Sequence, residues 1–185
     1  MDFLALLFNK INVFLSDPNT LQTFVNNRFF MIFLVIVLLK LKYTTYSNIY
    51  TSALVNIPGT LLHETSHFLV GLFLNAHPTR FDLFPKKEGN VYVMGSVGFR
   101  NITFYNALPS ALAPLLLLII GYLFNVWFFV NVEVTYLNYI LYVLLQTIII
   151  ENAVPSSTDF KVAFSHPLGL LIYGALFVFA VLYAI

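Results

Sequence analysis

No cysteine occurs among the 185 residues, which excludes disulfides and thiolate ligands and leaves His, Asp and Glu to hold any metal. Charge is also scarce. Asp, Glu, Lys and Arg make up 9% of the chain, against about a quarter of a soluble globular domain, while 59% is hydrophobic. That balance excludes an ordinary soluble domain and implies an integral, multi-pass membrane protein bathed by the lipid bilayer. The nine Lys and Arg residues are scattered and leave a formal net charge of +1. Without a basic stripe, nucleic acid is excluded as a partner. The first residues lack both the positive start and the small-residue cleavage site of a signal peptide.

The apolar runs divide the chain. Residues 1–16 place Phe3, Leu4, Leu7, Phe8, Ile11, Phe14 and Leu15 on a broad helical stripe too short to span, which predicts an interfacial amphipathic helix. Asp17-Pro18-Asn19 then signals a turn. Five longer runs follow, over about Phe24–Leu41, Ile49–Ala76, Ala107–Val130, Val134–Ala153 and Pro167–Ile185. The expectation is one all-α polytopic membrane domain over 1–185 with about five transmembrane helices. Between the second and third runs, Phe81 and Leu83, then Val91, Val93, Val97 and Phe99, alternate around Lys86-Lys87-Glu88-Gly89-Asn90, predicting a membrane-associated β-hairpin insertion over 79–100. Gly95 and Gly98 in its second strand suggest close approach by another backbone.

The second run contains His63-Glu64-Thr65-Ser66-His67. On a helix, residues i and i+4 share a face, so both imidazoles can hold one Zn2+ while Glu64 serves as general base toward water. Ionisable groups inside an apolar helix are costly without partners, which favours a functional cluster over a chance pattern; the competing reading is a polar cluster joining helices by hydrogen bonds. Pro58-Gly59, one turn earlier, frees a backbone carbonyl. A catalytic zinc takes three protein ligands. Asp159 is the most suitable third, with His166, His77 and Glu151 as competitors; Asp159 also suits the start of a short helix as an N-cap.

A membrane helix bearing HExxH, a β-rich insertion, and a later helix ending in Asn152-Ala153-Val154-Pro155-Ser156-Ser157-Thr158-Asp159-Phe160 together resemble the core of the site-2 protease family of intramembrane zinc metalloproteases. The resemblance covers residues 49–159. The family's NxxPxxxxDG pattern is one residue shorter here between Pro and Asp, and Phe160 stands in place of Gly. It implies His63, His67 and Asp159 as ligands, Glu64 as catalytic base and Asn152 as a contact to the substrate backbone.

The function implied is hydrolysis of peptide bonds in or beside transmembrane segments of a protein substrate. The strand around Val93, Gly95 and Val97 would present the unwound segment by strand addition. Two other classes remain: a membrane zinc hydrolase acting on a non-peptide substrate, and a non-catalytic protein binding membrane segments. Five alternating spans would gather Lys10, Arg28, Arg80, Lys86, Lys87, Arg100 and Lys161 on one side against Lys40 and Lys42 on the other. By the positive-inside rule the N-terminus and the hairpin are expected in the cytoplasm.

Overall fold

The computed structural model describes residues 3–88 and 91–184. Its elements are α1 (Phe3–Ser16), α2 (Pro18–Asn26), α3 (Arg28–Thr44), α4 (Ile49–Phe73), β1 (Pro78–Asp82), β2 (Lys86–Glu88), β3 (Val91–Val93), β4 (Ser96–Phe99), α5 (Ala107–Ala111), α6 (Leu116–Asn131), α7 (Tyr136–Glu151), α8 (Ser157–Ala163) and α9 (Pro167–Ala184). The chain is thus mostly helical with a small β region.

Side-chain caps set the boundaries. Asp17 accepts from the amide of Asn19 to start α2, with Pro18 in the first turn, where its missing N–H costs nothing. Asn27 then ends α2 in extended backbone and accepts from Phe29 to start α3. The run expected to begin at Phe24 is therefore two helices, because an Asn side chain offers the backbone an alternative to continuing the first. Thr135 starts α7 in the same way. The third run breaks into α5 and α6, with Pro114 in the 3₁₀ turn Ala113–Leu115 between them.

Among the described residues, two stretches are long and apolar enough to cross a membrane, Arg28–Ser47 and Ala113–Asn131. A third exists if α8 and α9, bent by 90°, count as one broken span. The expected α4 and α7 spans do not meet both conditions. α4 has 25 residues but carries Ser52, Asn56, Thr60 and the motif; α7 is apolar but 16 residues long.

The core is aromatic. Phe128, Tyr139, Tyr142 and Val143 are buried, and Phe24, Val25, Leu34, Val35 and Leu38 pack on them. Phe128 stacks on Tyr142 with centroids 4.6 Å apart, and the Tyr142 hydroxyl donates to Asn125 Oδ1 at 2.6 Å. These contacts fix helix directions. At one end Tyr139, early in α7, donates to the carbonyl of Val25, just before α3. At the other, Lys42 near the end of α3 pairs with Glu151 at the end of α7, 2.7 Å apart. α3 and α7 therefore run parallel. α6 runs against both, since its early Gly121 faces Gln146 and Ile150 while its later Phe128 meets Tyr142. The first and fourth of five alternating spans would be antiparallel, with Lys42 and Glu151 on opposite sides; their ion pair is incompatible with that arrangement.

The hairpin forms as two nested ladders. β1 pairs antiparallel with β4 (Phe81 opposite Val97), and β2 with β3 (Lys86 opposite Val93). The predicted turn residues Gly89 and Asn90 lie outside the described residues. Gly95 falls in the break between β3 and β4 rather than within a strand. Asp82 pairs with Arg80 of its own strand at 2.6 Å and, across the break between β1 and β2, with Lys86 at 2.5 Å.

Outward faces of α3, α6 and α9 are rich in exposed Phe, Leu, Ile and Val, as lipid contact requires. α1 buries no residue and carries exposed apolar side chains around most of its circumference.

Candidate metal centre

Asn48 opens the motif helix, its Oδ1 accepting from the amides of Tyr50 and Thr51 at 2.9 and 3.5 Å. α4 then continues through Pro58, which removes the donor that would have met the carbonyl of Leu54. One turn on, His63 and His67 project from the same face with their rings edge to face, centroids 4.8 Å apart. Their Nε2 atoms are 3.2 Å from each other.

The third group comes from the chain after α7. Ser156 caps α8, and its hydroxyl accepts from the amide of Asp159 at 3.2 Å while its own amide donates to Asp159 Oδ2 at 2.6 Å. Asp159 therefore occupies the third position of the helix in a capping box and is not itself the N-cap. This reciprocal pair turns the carboxylate back toward α4. Oδ1 lies 3.3 Å from His67 Nε2 and Oδ2 3.5 Å from His63 Nε2.

Both rings are held from behind. His63 Nδ1 is 2.8 Å from the carbonyl of Asn152, and His67 Nδ1 is 2.7 Å from that of Ser110. A carbonyl only accepts, so each Nδ1 carries the proton, and in the neutral tautomer each Nε2 presents a lone pair. Two lone pairs and a carboxylate then converge with no proton among them. Such a trio requires a cation, or protonation of the rings. Residues His63, His67 and Asp159 are thus a group that could hold a metal ion, with ligand atoms all within 4.8 Å of one another.

Glu64 is buried, at 7% exposure. Gly95 lies directly over it, so that a Cβ on Gly95 would stand 2.8 Å from Glu64 Oε1 and 2.5 Å from Thr60 Cγ2. The close approach expected of that glycine is to α4. A cavity of about 490 Å³ brings Glu64 and the three candidate ligands together with Val93, Gly95, Val97 and Asn152. The Asn152 side chain donates to its own helix at the carbonyl of Ile148, 2.8 Å away, and packs on Gly59. Its backbone carbonyl is what touches the His63 ring.

The competing ligands do not belong to this cluster. Glu151 pairs with Lys42. His166 Nδ1 meets Ser165 Oγ at 2.7 Å, and His77 is exposed in a left-handed turn with φ of 50°. Three further contributors are not among the candidate site residues that the sequence offers. Ser110, fully buried, supplies a carbonyl, for which a sequence carries no signal. Gly59 admits Asn152, and Ser156 orients Asp159; Ser156-x-x-Asp159 was readable as a capping pattern. Comparison with family models, curated proteins and solved structures finds no match to this chain.

Proposed function

We propose that the chain is a membrane zinc endopeptidase that hydrolyses peptide bonds in or near membrane segments of other proteins. The observation that carries this reading is the convergence of two Nε2 atoms, 3.2 Å apart, on one carboxylate, with Asp159 Oδ1 3.3 Å from His67 Nε2 and Oδ2 3.5 Å from His63 Nε2. A tetrahedral zinc with bonds of about 2.0–2.1 Å holds its ligand atoms roughly 3.3–3.4 Å apart, so His63, His67 and Asp159 fit the ion. Nδ1–H bonds to backbone carbonyls are the support that metal-bound imidazoles ordinarily have.

Zn2+ held there would polarise a scissile carbonyl and make water a nucleophile near neutral pH. Glu64 is next to His63 and about 100° further around the helix, so its carboxylate can work beside the ligands without being one. It takes the proton of the attacking water and passes it to the leaving amine nitrogen. A substrate segment must be extended to expose its amide. Hairpin residues Val93 to Val97 border the cavity and offer an edge for such a segment. Asn152 acts on this reading through its carbonyl, by orienting His63.

The test is Glu64→Gln, which keeps size and removes the basic carboxylate. Metal content should be unchanged and cleavage of a tagged membrane peptide should fall by about 10²- to 10⁴-fold. Equal cleavage by both proteins would remove Glu64 from the chemistry. A zinc-loaded wild type inert on peptides but active on esters would favour a non-peptide hydrolase. A wild type that binds no metal would favour a helix-joining polar cluster, with protonated rings donating to Asp159.

A further inference from the structure

Helix directions decide which end of the bundle carries the site. α3 and α7 finish, and α6 begins, at one end, marked by the Lys42–Glu151 pair. Gly59 and His63 both meet Asn152, the residue that follows α7, so the motif helix passes the bundle at that end. Asp159 on α8 reaches the same point, and the hairpin packs there through Gly95 on Glu64 and Phe99 on Gly71. The opposite end holds α2, the start of α3 and the link from α6 to α7.

The basic residues divide accordingly. Lys40, Lys42, Arg80, Lys86, Lys87, Arg100 and Lys161 fall at the site end; Arg28 and, joined through α2, Lys10 fall at the other. Seven of the nine Lys and Arg residues therefore share the site end. The ratio matches the count for five alternating spans, but the membership differs, because Lys40 and Lys42 exchange ends with Lys10 and Arg28. That exchange moves the N-terminus to the other side.

We propose that the metal centre lies at the membrane boundary on the cytoplasmic side, with the N-terminal helix on the opposite side. Its substrate, on the peptidase reading on which this part rests, is the juxtamembrane segment of a membrane-anchored polypeptide emerging into the cytoplasm. A charge bias of this size over short connections sets orientation. The boundary location also lowers the cost of gathering Glu64, Asp159, Lys42 and Glu151 in one place, which at mid-bilayer would be several times larger.

Water has a route as well. The site cavity shares Thr60, Met94 and Asn152 with a second cavity of about 520 Å³ that runs along Ser52 and Asn56 to Tyr46 and Ser47, just past α3. Ser52, Asn56, Thr60 and Glu64 follow one another at intervals of four along α4, a single polar face leading to the carboxylate. A juxtamembrane segment is solvated and readily extended. A helix inside the bilayer has all its backbone groups paired and would have to break them in lipid.

The absence of cysteine makes the test direct. Single cysteines at Asn19, Ser47, Lys87, Glu133 and Ser157, all exposed in the full chain, are labelled with a membrane-impermeant maleimide in right-side-out and inverted vesicles. Ser47→Cys, Lys87→Cys and Ser157→Cys should label at least tenfold faster in inverted vesicles, and Asn19→Cys and Glu133→Cys faster in right-side-out ones. Asn19 and Lys87 labelling from the same side, or Lys87 from outside, overturns the proposal. Labelling needs no catalysis, so a correctly oriented but inert protein counts against the peptidase and not against the orientation. With an active protein, membrane-anchored peptides should be cut beside the span on the cytoplasmic side; cutting confined to bonds deep within the span overturns the boundary location.

Discussion

Gly59→Ala puts the coupling between fold and site to a quantitative test, because propensity and packing predict opposite signs. In a helix interior, alanine is favoured over glycine by about 0.8–1 kcal/mol. At position 59, however, a Cβ would stand 2.1 Å from Asn152 Nδ2, 2.5 Å from its Cγ and 2.7 Å from its Oδ1. Ordinary contact needs about 3.5 Å, so the amide must retreat by roughly 1.4 Å. That amide is tied to the carbonyl of Ile148 at 2.8 Å. Losing the bond costs about 0.5–1.5 kcal/mol, and overpacking costs about 1–3 kcal/mol. The net expectation is destabilisation by about 1–3 kcal/mol after the propensity gain is subtracted.

Movement of Asn152 also reaches the site, since its carbonyl accepts from His63 Nδ1 at 2.8 Å. Disturbing such outer support typically costs about 10- to 100-fold in metal affinity. Reversible unfolding in mixed micelles reads the first effect and chelator competition the second. Asn152→Ala removes all three crowding atoms while keeping the carbonyl. In the double variant the penalty at position 59 should vanish and the helix gain return, giving a coupling of about 1–3 kcal/mol. Gly59→Ala as stable as wild type, with unchanged metal affinity and Asn152 intact, would refute the reasoning.

Asp159→Ala should abolish most metal binding, whereas His77→Ala and His166→Ala should leave it intact; metal loss in His166→Ala with retention in Asp159→Ala would reassign the ligand. Ser156→Ala keeps the carboxylate but removes its cap, so chelator competition should show an affinity loss of about 10- to 100-fold with a stability loss of about 1 kcal/mol. Proline at Val93, opposite Lys86, or at Val97, opposite Phe81, removes a strand donor and should impair peptide cleavage while sparing metal content; full activity of both variants would make the hairpin passive. The hydrogen bond from Lys86, aided by the charge of Arg80, holds the Asp82 carboxyl below its ordinary range. A depressed folded value contributes stability above the unfolded pKa of about 3.9 and loses it as pH falls through the folded value. Proteolytic protection of the hairpin should therefore weaken below about pH 4, and Asp82→Asn should weaken it at neutral pH; equal protection of wild type at pH 7 and pH 3 would contradict this.

Much of the site could be read from the chain because its elements are local. HExxH needs one helical turn to place two imidazoles, and hydrophobic alternation broken by Lys86 to Asn90 needs only a turn to become a hairpin. Asp159 was legible as a candidate because it follows an apolar run closely enough to fold back. Non-local features were not legible. The parallel course of α3 and α7 depends on Lys42 finding Glu151, 109 positions away, and alternating hydropathy cannot report it. The carbonyls of Ser110 and Asn152 act through backbone that every residue possesses. For Asn152, the family resemblance implied a substrate contact, while packing against Gly59 turns the side chain onto its own helix. The break at Asn27 was missed for a different reason: one capping side chain outweighed the hydrophobic run around it.

The same geometry ties occupancy to stability. The turn of α4 delivers two imidazoles and the capping of α8 one carboxylate to a point where their ligand atoms lie within 4.8 Å of one another, and none of the three supplies a proton there when the rings are neutral. Without a cation, lone pairs oppose one another and the contact between α4 and α8 carries a repulsive centre. With one, the same contact becomes the strongest link between two stretches of chain separated by more than ninety residues. Binding free energy of that kind is folding free energy, worth about 4 kcal/mol when free metal exceeds its dissociation constant a thousandfold. α8 is only 7 residues long, too short to be stable alone, so its hold on the body should be the first thing to loosen on chelation. Hydrogen exchange should then rise at Ser157 to Ala163 before it rises in the aromatic core around Tyr139 and Tyr142. Uniform exchange through both regions would mean that α8 is held by packing and that the metal is not what fastens it.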